Sequence, residues 1–194
     1  SENVIILKRQ HAEHEEIKED NKNTNHFQSA AVLSLSLIAF GENIGSEMAM
    51  RTMNHLLQYG EVEIKRAVPL AISLLTMTNP DNQIMDLLGK LSYDGDSQVA
   101  INAILAQGMI WAGTNNSRLM GNLRQLASYY NRDPDNLFMV RIAQGLVSTG
   151  KGLINLQPLH SDKILQSNVG LSGILILLMT ATNLEKLFFG RLHT

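Results

Sequence analysis

No cysteine occurs among the 194 residues. That absence removes disulfide frameworks and thiolate metal sites together, and with them any pointer to an oxidising compartment, so cytoplasm and nucleus are the expected location. A basic field is missing as well: 16 Lys and Arg stand against 18 Asp and Glu, for a formal charge of −2. Phosphate-backbone binding relies on such a field, and nucleic acid is not an expected partner. Long hydrophobic runs are also lacking. The two most apolar stretches, 30–40 and 169–181, fall short of the roughly 18 to 20 apolar residues that a spanning helix needs, so both read as core helices and no membrane is expected. The first residues carry no basic-then-apolar leader and no initiator Met, and the chain reads as a piece of something longer.

What is present is enough apolar material, 44% of residues, to bury a substantial core. It is unevenly distributed. Residues 1–26 are polar, with the mixed-charge run Lys8-Arg9-Gln10-His11-Ala12-Glu13-His14-Glu15-Glu16. A helix over 3–19 followed by a linker fits that composition. From Phe27 onward apolar residues recur at helical spacing, as in Leu33, Leu37, Ile38 and again Met48, Met53, Leu56, Leu57, with almost no strand-like alternation. Asn79-Pro80 and Asp133-Pro134 put a capping side chain before a helix-starting proline. Gly41, Gly60 and Gly113 sit where helices end, glycine taking the left-handed cap without steric cost. Pro69 interrupts the apolar run 67–75 and either starts that helix late or kinks it. The count is about nine helices.

Laid over itself, the chain shows a repeat. Ala106-Gln107-Gly108-Met109-Ile110-Trp111-Ala112-Gly113 returns 37 residues later as Ala143-Gln144-Gly145-Leu146-Val147-Ser148-Thr149-Gly150. Gly41 precedes Gly113 by two units of 36, and Ala31-Val32, Ala67-Val68 and Ala100-Ile101 recur at offsets of 36 and 33. Periods of this size belong to stacked helix pairs that bury their apolar faces only against neighbours. Gly108 and Gly145 fall inside helices, where glycine is about 1 kcal/mol worse than alanine. Close approach of helix backbones at Ala106/Gly108 and Ala143/Gly145 would compensate. The expected fold is therefore all-α, a superhelix or toroid of helical hairpins of about 36 residues, with repeats over 27–160 and closing helices over 161–194.

The small-residue repeat resembles the proteasome/cyclosome repeat. The likeness extends over Ala112-Gly113-Thr114-Asn115-Asn116-Ser117-Arg118-Leu119, His55-Leu56-Leu57-Gln58-Tyr59-Gly60-Glu61, Arg66-Ala67-Val68-Pro69-Leu70-Ala71 and Val140-Arg141-Ile142-Ala143-Gln144-Gly145-Leu146. The resemblance implies a solenoid of two concentric helix layers, of which this chain supplies the last repeats. It also implies a non-catalytic place in the base of the proteasome regulatory particle. The partners it implies are other regulatory-particle subunits including ATPases, ubiquitin, ubiquitin-like domains of shuttle factors, and a deubiquitinase. Met77-Thr78-Asn79-Pro80 departs from the small-residue closure, and no stretch matches the ubiquitin-binding helices associated with the family, so no partner-binding residue is assigned. The repeat-packing set is Gly41, Ala106, Gly108, Gly113, Ala143, Gly145 and Gly150.

The residues that could carry chemistry read otherwise. Gly145-Leu146-Val147-Ser148-Thr149-Gly150-Lys151-Gly152 follows a phosphate-binding loop up to its last position, where Gly152 stands in place of the Ser or Thr that holds magnesium. His11 and His14 with Glu15 and Glu16 lack the His-Glu-x-x-His order of zinc hydrolases. Gly170-Leu171-Ser172-Gly173 lacks the spacing of a nucleophile elbow, and Ser172 reads as helix packing. Glu61/Glu63 and Asp94/Asp96 read as solvated turn charges. Met48, Met50 and Met53 read as core filling. Asp81, Asp86 and Glu61 are the acidic side chains on outer helices that could meet a basic partner. The reading is a scaffold without cofactor, metal or enzymatic activity. The alternatives are a generic helical-repeat adaptor outside the proteasome and a nucleotide-binding enzyme using Gly145 to Lys151.

Overall fold

A computed structural model of the chain describes residues 27–77, 81–154, 156–160 and 165–182. Among them run eight α-helices: α1 over 27–38, α2 Asn43–Tyr59, α3 Val62–Thr76, α4 Asn82–Leu91, α5 Ser97–Ile110, α6 Ser117–Tyr129, α7 Pro134–Val147 and α8 Asn168–Ala181. A 3-10 turn, Thr149–Gly152, follows α7. The expected helix over 3–19 and the Asn79-Pro80 cap lie outside the described residues.

Helix pairs stack in two layers. The inner row is α3, α5 and α7, with α5 packed between the other two; α2 covers α3, α4 covers α5 and α6 covers α7. Composition dictates the division. Twelve of the fourteen residues of α5 are buried, because it is apolar on every face and each face meets a neighbour. In α6 only Leu119, Leu123 and Leu126 are buried, a single stripe at i, i+4, i+7 that suits one-sided contact. Each fully buried Leu or Ile contributes about 1.5–3 kcal/mol relative to exposure, so the inner row carries most of the fold's stability.

Hydrogen bonds between successive repeats fall at separations close to the sequence period. Asn102 Nδ2 donates to the Arg66 carbonyl at 2.8 Å, 36 residues away. The Tyr130 hydroxyl donates to the Ser92 carbonyl at 2.7 Å, 38 residues away, and Asn136 Nδ2 reaches Ser97 Oγ at 3.4 Å across 39. The first of these bears on Pro69, which lies fully inside α3. A proline in a helix interior removes a backbone donor and disturbs the preceding turn; here the Asn102 amide donates to the Arg66 carbonyl in that turn and fastens it to α5. The helix neither starts late nor stops.

Caps explain the boundaries, with differences from expectation. Asp96 accepts from the Gln98 amide at 3.2 Å, and Asn116 from Arg118 and Leu119 at 3.0 and 3.4 Å, each satisfying first-turn donors. Asp133 precedes Pro134 at the start of α7 as expected, yet its side chain makes no capping hydrogen bond. Gly41, Gly113 and Gly150 adopt φ of +85°, +68° and +63°. Gly60 does not: it ends α2 at φ −73°, ψ 159°, so its smallness rather than its handedness is used, a Cβ there running into the Leu56 carbonyl. Met48 is 65% exposed whereas Met53 is fully buried, so only the second fills core. The expectation that 169–181 is a core helix also fails: α8 buries only Leu178 and Ala181.

Candidate docking surface

The seam between α5 and α7 is built from small residues. A Cβ added to Gly108 would lie 2.8 Å from Ala143 Cα and 3.0 Å from Ala143 Cβ, so any larger residue must push the helices apart. Ala106 and Ala143 are wholly buried beside it. At the end of the seam the chain after α5 closes onto α7: the Gly113 amide donates to the Leu146 carbonyl at 2.9 Å and the Asn115 amide to the Val147 carbonyl at 3.1 Å. Carbonyls of a helix's last turn have no partner within the helix, and one repeat thus finishes the helix of the next. A side chain at Gly113 would collide with the Ile154 main chain, and one at Gly150 with the Ile154 side chain. At Gly41 it would meet Leu159 Cδ1 at 3.0 Å.

Gly145 behaves differently. It is exposed, with nothing within 4 Å of an added Cβ, and the close approach expected there is absent. Gly108 has α7 on its flank; among the described residues no element flanks Gly145 in the same way. The lysine loop also fails as a phosphate site for a structural reason. Gly145 and Leu146 lie at the C-terminal end of α7 and Lys151 in the turn after it, whereas a phosphate loop presents amides from a helix N-terminus after a strand. Ser172 is exposed and donates to the Val169 carbonyl at 2.9 Å, and Gly173 meets nothing within 4 Å, so neither packs a helix. Among the described residues no group of three His, Asp or Glu side chains could hold a metal ion. His11, His14, Glu15 and Glu16 lie outside them. No described helix is long and apolar enough to cross a membrane.

The acidic residues divide into those spoken for and those open. Asp96 accepts from Arg66 Nε at 2.7 Å while Glu63 holds the same guanidinium at 2.9 Å, tying α3 to the start of α5. Asp86 on α4 pairs with Arg118 on α6 at 2.9 Å, both more than half exposed, which makes it a weak strut. Glu42, Glu47 and Asp81 rim a groove between α2 and α4 with Met50, Leu75 and Ile84 at its base. A second groove, between α4 and α6, has Gln107 of α5 as its floor. Near its end Tyr93, Tyr129 and Tyr130 stack edge to face at 5.2 and 4.8 Å. Burial, and then the negative charge of its neighbours, raises the pKa of Tyr130 above its ordinary value. The bonds of Asn102, Tyr130 and Arg66 were not singled out by sequence reading. The Asn102 and Tyr130 bonds join residues 36 and 38 apart, about one period, and polar pairs at that separation are the signal that points to Asn102 with Arg66.

Comparison with known proteins gives a consistent result. Residues 102–134, the second half of α5 through α6 to the start of α7, match the proteasome/cyclosome repeat. The chain is 48% identical to the 26S proteasome regulatory subunit rpn-1 of Neurospora crassa over 93% of its own length and 20% of that protein's. It is 49% identical to the 26S proteasome non-ATPase regulatory subunit 2 homolog A of Arabidopsis thaliana over 86% of its length and 19% of that protein's. With the 26S proteasome non-ATPase regulatory subunit 2 of Dictyostelium discoideum it shares 50% identity over 87% of its length and 19% of that protein's. The chain thus spans about a fifth of the length of these relatives.

Proposed function

This chain belongs to the proteasome/cyclosome-repeat family, and on that premise we propose that it is a non-catalytic scaffold segment of a proteasome regulatory-particle base, holding docking surfaces at fixed separations for ubiquitin-dependent degradation. The observation that carries the reading is the seam at Gly108. Helices held by main-chain contact and by hydrogen bonds one period apart form a rigid rack, and the outer helices α2, α4 and α6 present polar faces and grooves on it. The partners we propose are regulatory-particle subunits including ATPases, together with ubiquitin or the ubiquitin-like domains of shuttle factors and a deubiquitinase. Cytoplasm and nucleus are the proposed compartments. Gly41, Ala106, Gly108, Gly113, Ala143 and Gly150 are the proposed packing residues of repeats over 27–160, and Gly145 offers a further element the approach that Gly108 gives Ala143.

An amide-shift titration of the isotope-labelled chain with ubiquitin, and separately with a ubiquitin-like domain of a shuttle factor, tests the receptor part of this reading. Saturable shifts confined to α2, α4 or α6 are expected. No shifts at millimolar partner would reduce the segment to structural support for a receptor surface elsewhere.

A further inference from the structure

Gln107 is 1% exposed, and both its Nε2 and its Oε1 are buried without a hydrogen-bond partner. With donor and acceptor both open, exchanging the two ends of the amide changes nothing. A buried carboxamide left in this state costs stability that an apolar residue of the same size would not. It forms the floor of the groove between α4 and α6, a space of about 440 Å³ that Met85, Gly89, Asn122 and Gln125 also line.

The neighbouring repeat supplies an internal control. Gln144, 37 residues on, donates from Nε2 to the Leu123 carbonyl of α6 at 3.4 Å and accepts from Arg141 at 3.1 Å. The residue equivalent to Arg141 is Ile104, which has nothing to donate, and Gln107 makes no bond to α4. So this position takes a main-chain carbonyl where one is in reach, and in α5 none is. Gly89 adds an independent sign. It lies in the last turn of α4 with no positive φ, and an added Cβ would meet nothing within 4 Å. Neither backbone conformation nor internal packing accounts for a residue that weakens a helix; what it leaves is a low wall on the groove through which another backbone can come close.

We propose that the α4–α6 groove binds an extended segment of a partner polypeptide, with the Gln107 carboxamide pairing both the N–H and the C=O of one of its peptide groups. The groove's own chemistry favours a neutral main chain over a charged ligand: Asp86 is engaged by Arg118, Lys90 is the one cation in the lining, and the remaining polar side chains beside Gln107 are the neutral Ser92, Tyr93, Asn122 and Gln125. The proposal deepens the docking reading by naming what one surface recognises, and its probe is independent of ubiquitin.

The test titrates the full chain with N-methylacetamide, a single peptide group, and follows the Gln107 side-chain amide and the Gly89 backbone amide by NMR. Saturation with a Kd on the order of 10 mM is expected, as suits five heavy atoms. Gln107→Leu should weaken binding at least tenfold, and Gly89→Leu, whose side chain enters the groove while its Cβ meets no neighbour, should do the same in a chain that melts no lower than the parent. Unsaturable shifts scattered over the surface, undiminished binding in both variants, or a long-lived water at Gln107 that N-methylacetamide does not displace would each overturn the proposal. A groove that binds the probe in a chain indifferent to ubiquitin would sustain this proposal and sink the ubiquitin reading; the reverse pattern would do the opposite.

Discussion

Ala106-Gln107-Gly108 in α5 and Ala143-Gln144-Gly145 in α7 are one sequence written twice, in equivalent places of successive repeats, and the surroundings give each copy a different physical task. Gly108 is pressed against Ala143, while Gly145 faces open space. Gln107 is buried without a partner, while Gln144 holds the Leu123 carbonyl and accepts from Arg141. A repeat motif therefore specifies what a residue can do, and its neighbours decide whether it does so. α8 makes the same point from another side. It has the fourteen residues of α5 and is as apolar, yet Val169 is 84% and Ile176 65% exposed, because burial requires neighbours as well as apolar side chains.

The sharpest way to break this comparison is to enlarge both glycines. Gly108→Leu should lower unfolding stability by about 3 kcal/mol, since overpacking against a main-chain atom leaves little room to relax, whereas Gly145→Leu should cost nothing and gain up to about 1 kcal/mol of helix propensity. Urea denaturation of the two variants measures both; equal effects would mean that the seam contributes nothing special. Next in size is Asn102→Leu, expected to cost about 1.5 kcal/mol by removing the hydrogen bond that ties α5 to the Arg66 carbonyl of α3. Its counterpart Met139→Leu, at the same place in α7, removes no hydrogen bond and should cost less than about 1.5 kcal/mol.

The glutamines follow. Gln144→Leu should cost about 1 kcal/mol for its lost hydrogen bonds, while Gln107→Leu should be neutral or stabilising, because it removes a buried amide that is not satisfied within the chain. Thermal melts of the pair decide this by the sign of their difference. The smallest effect concerns Tyr130, whose pKa burial raises and whose hydroxyl must stay protonated to donate to Ser92. The unfolded phenol ionises first, so its contribution is complete below the unfolded pKa of about 10 and is lost as pH rises through the folded value. Tyr130→Phe should flatten the alkaline decline in stability, and a pH series of melts would register an unchanged slope as a failure.

Much of the architecture could be read in the sequence because it rests on local rules. Helical spacing, the Pro134 start and the 37-residue return of Ala-Gln-Gly identify stacked hairpins before any contact is known. The positive φ of Gly41, Gly113 and Gly150 agrees with their place at helix ends. What escaped depends on who stands next to whom. Gly60 looks like a left-handed cap and is an extended one; Met48 and Met53 share a stripe, but only Met53 is buried. Gly108 and Gly145 are indistinguishable until one sees that only the first has a helix beside it. The open amide of Gln107 depends on neighbours too: Ile104 stands where the other copy has Arg141, and no carbonyl of α4 takes the place of the Leu123 carbonyl.

The central claim is that the inner row, with α5 locked between α3 and α7, forms the rigid rack from which outer surfaces are displayed. Native-state hydrogen exchange tests it directly by comparing α5 with α8, two helices alike in length and apolarity. Amides of α5 should exchange only through global unfolding, and those of α8 should exchange through local opening at free energies well below the global value. Equal protection in the two helices, or faster exchange in α5, would contradict the account.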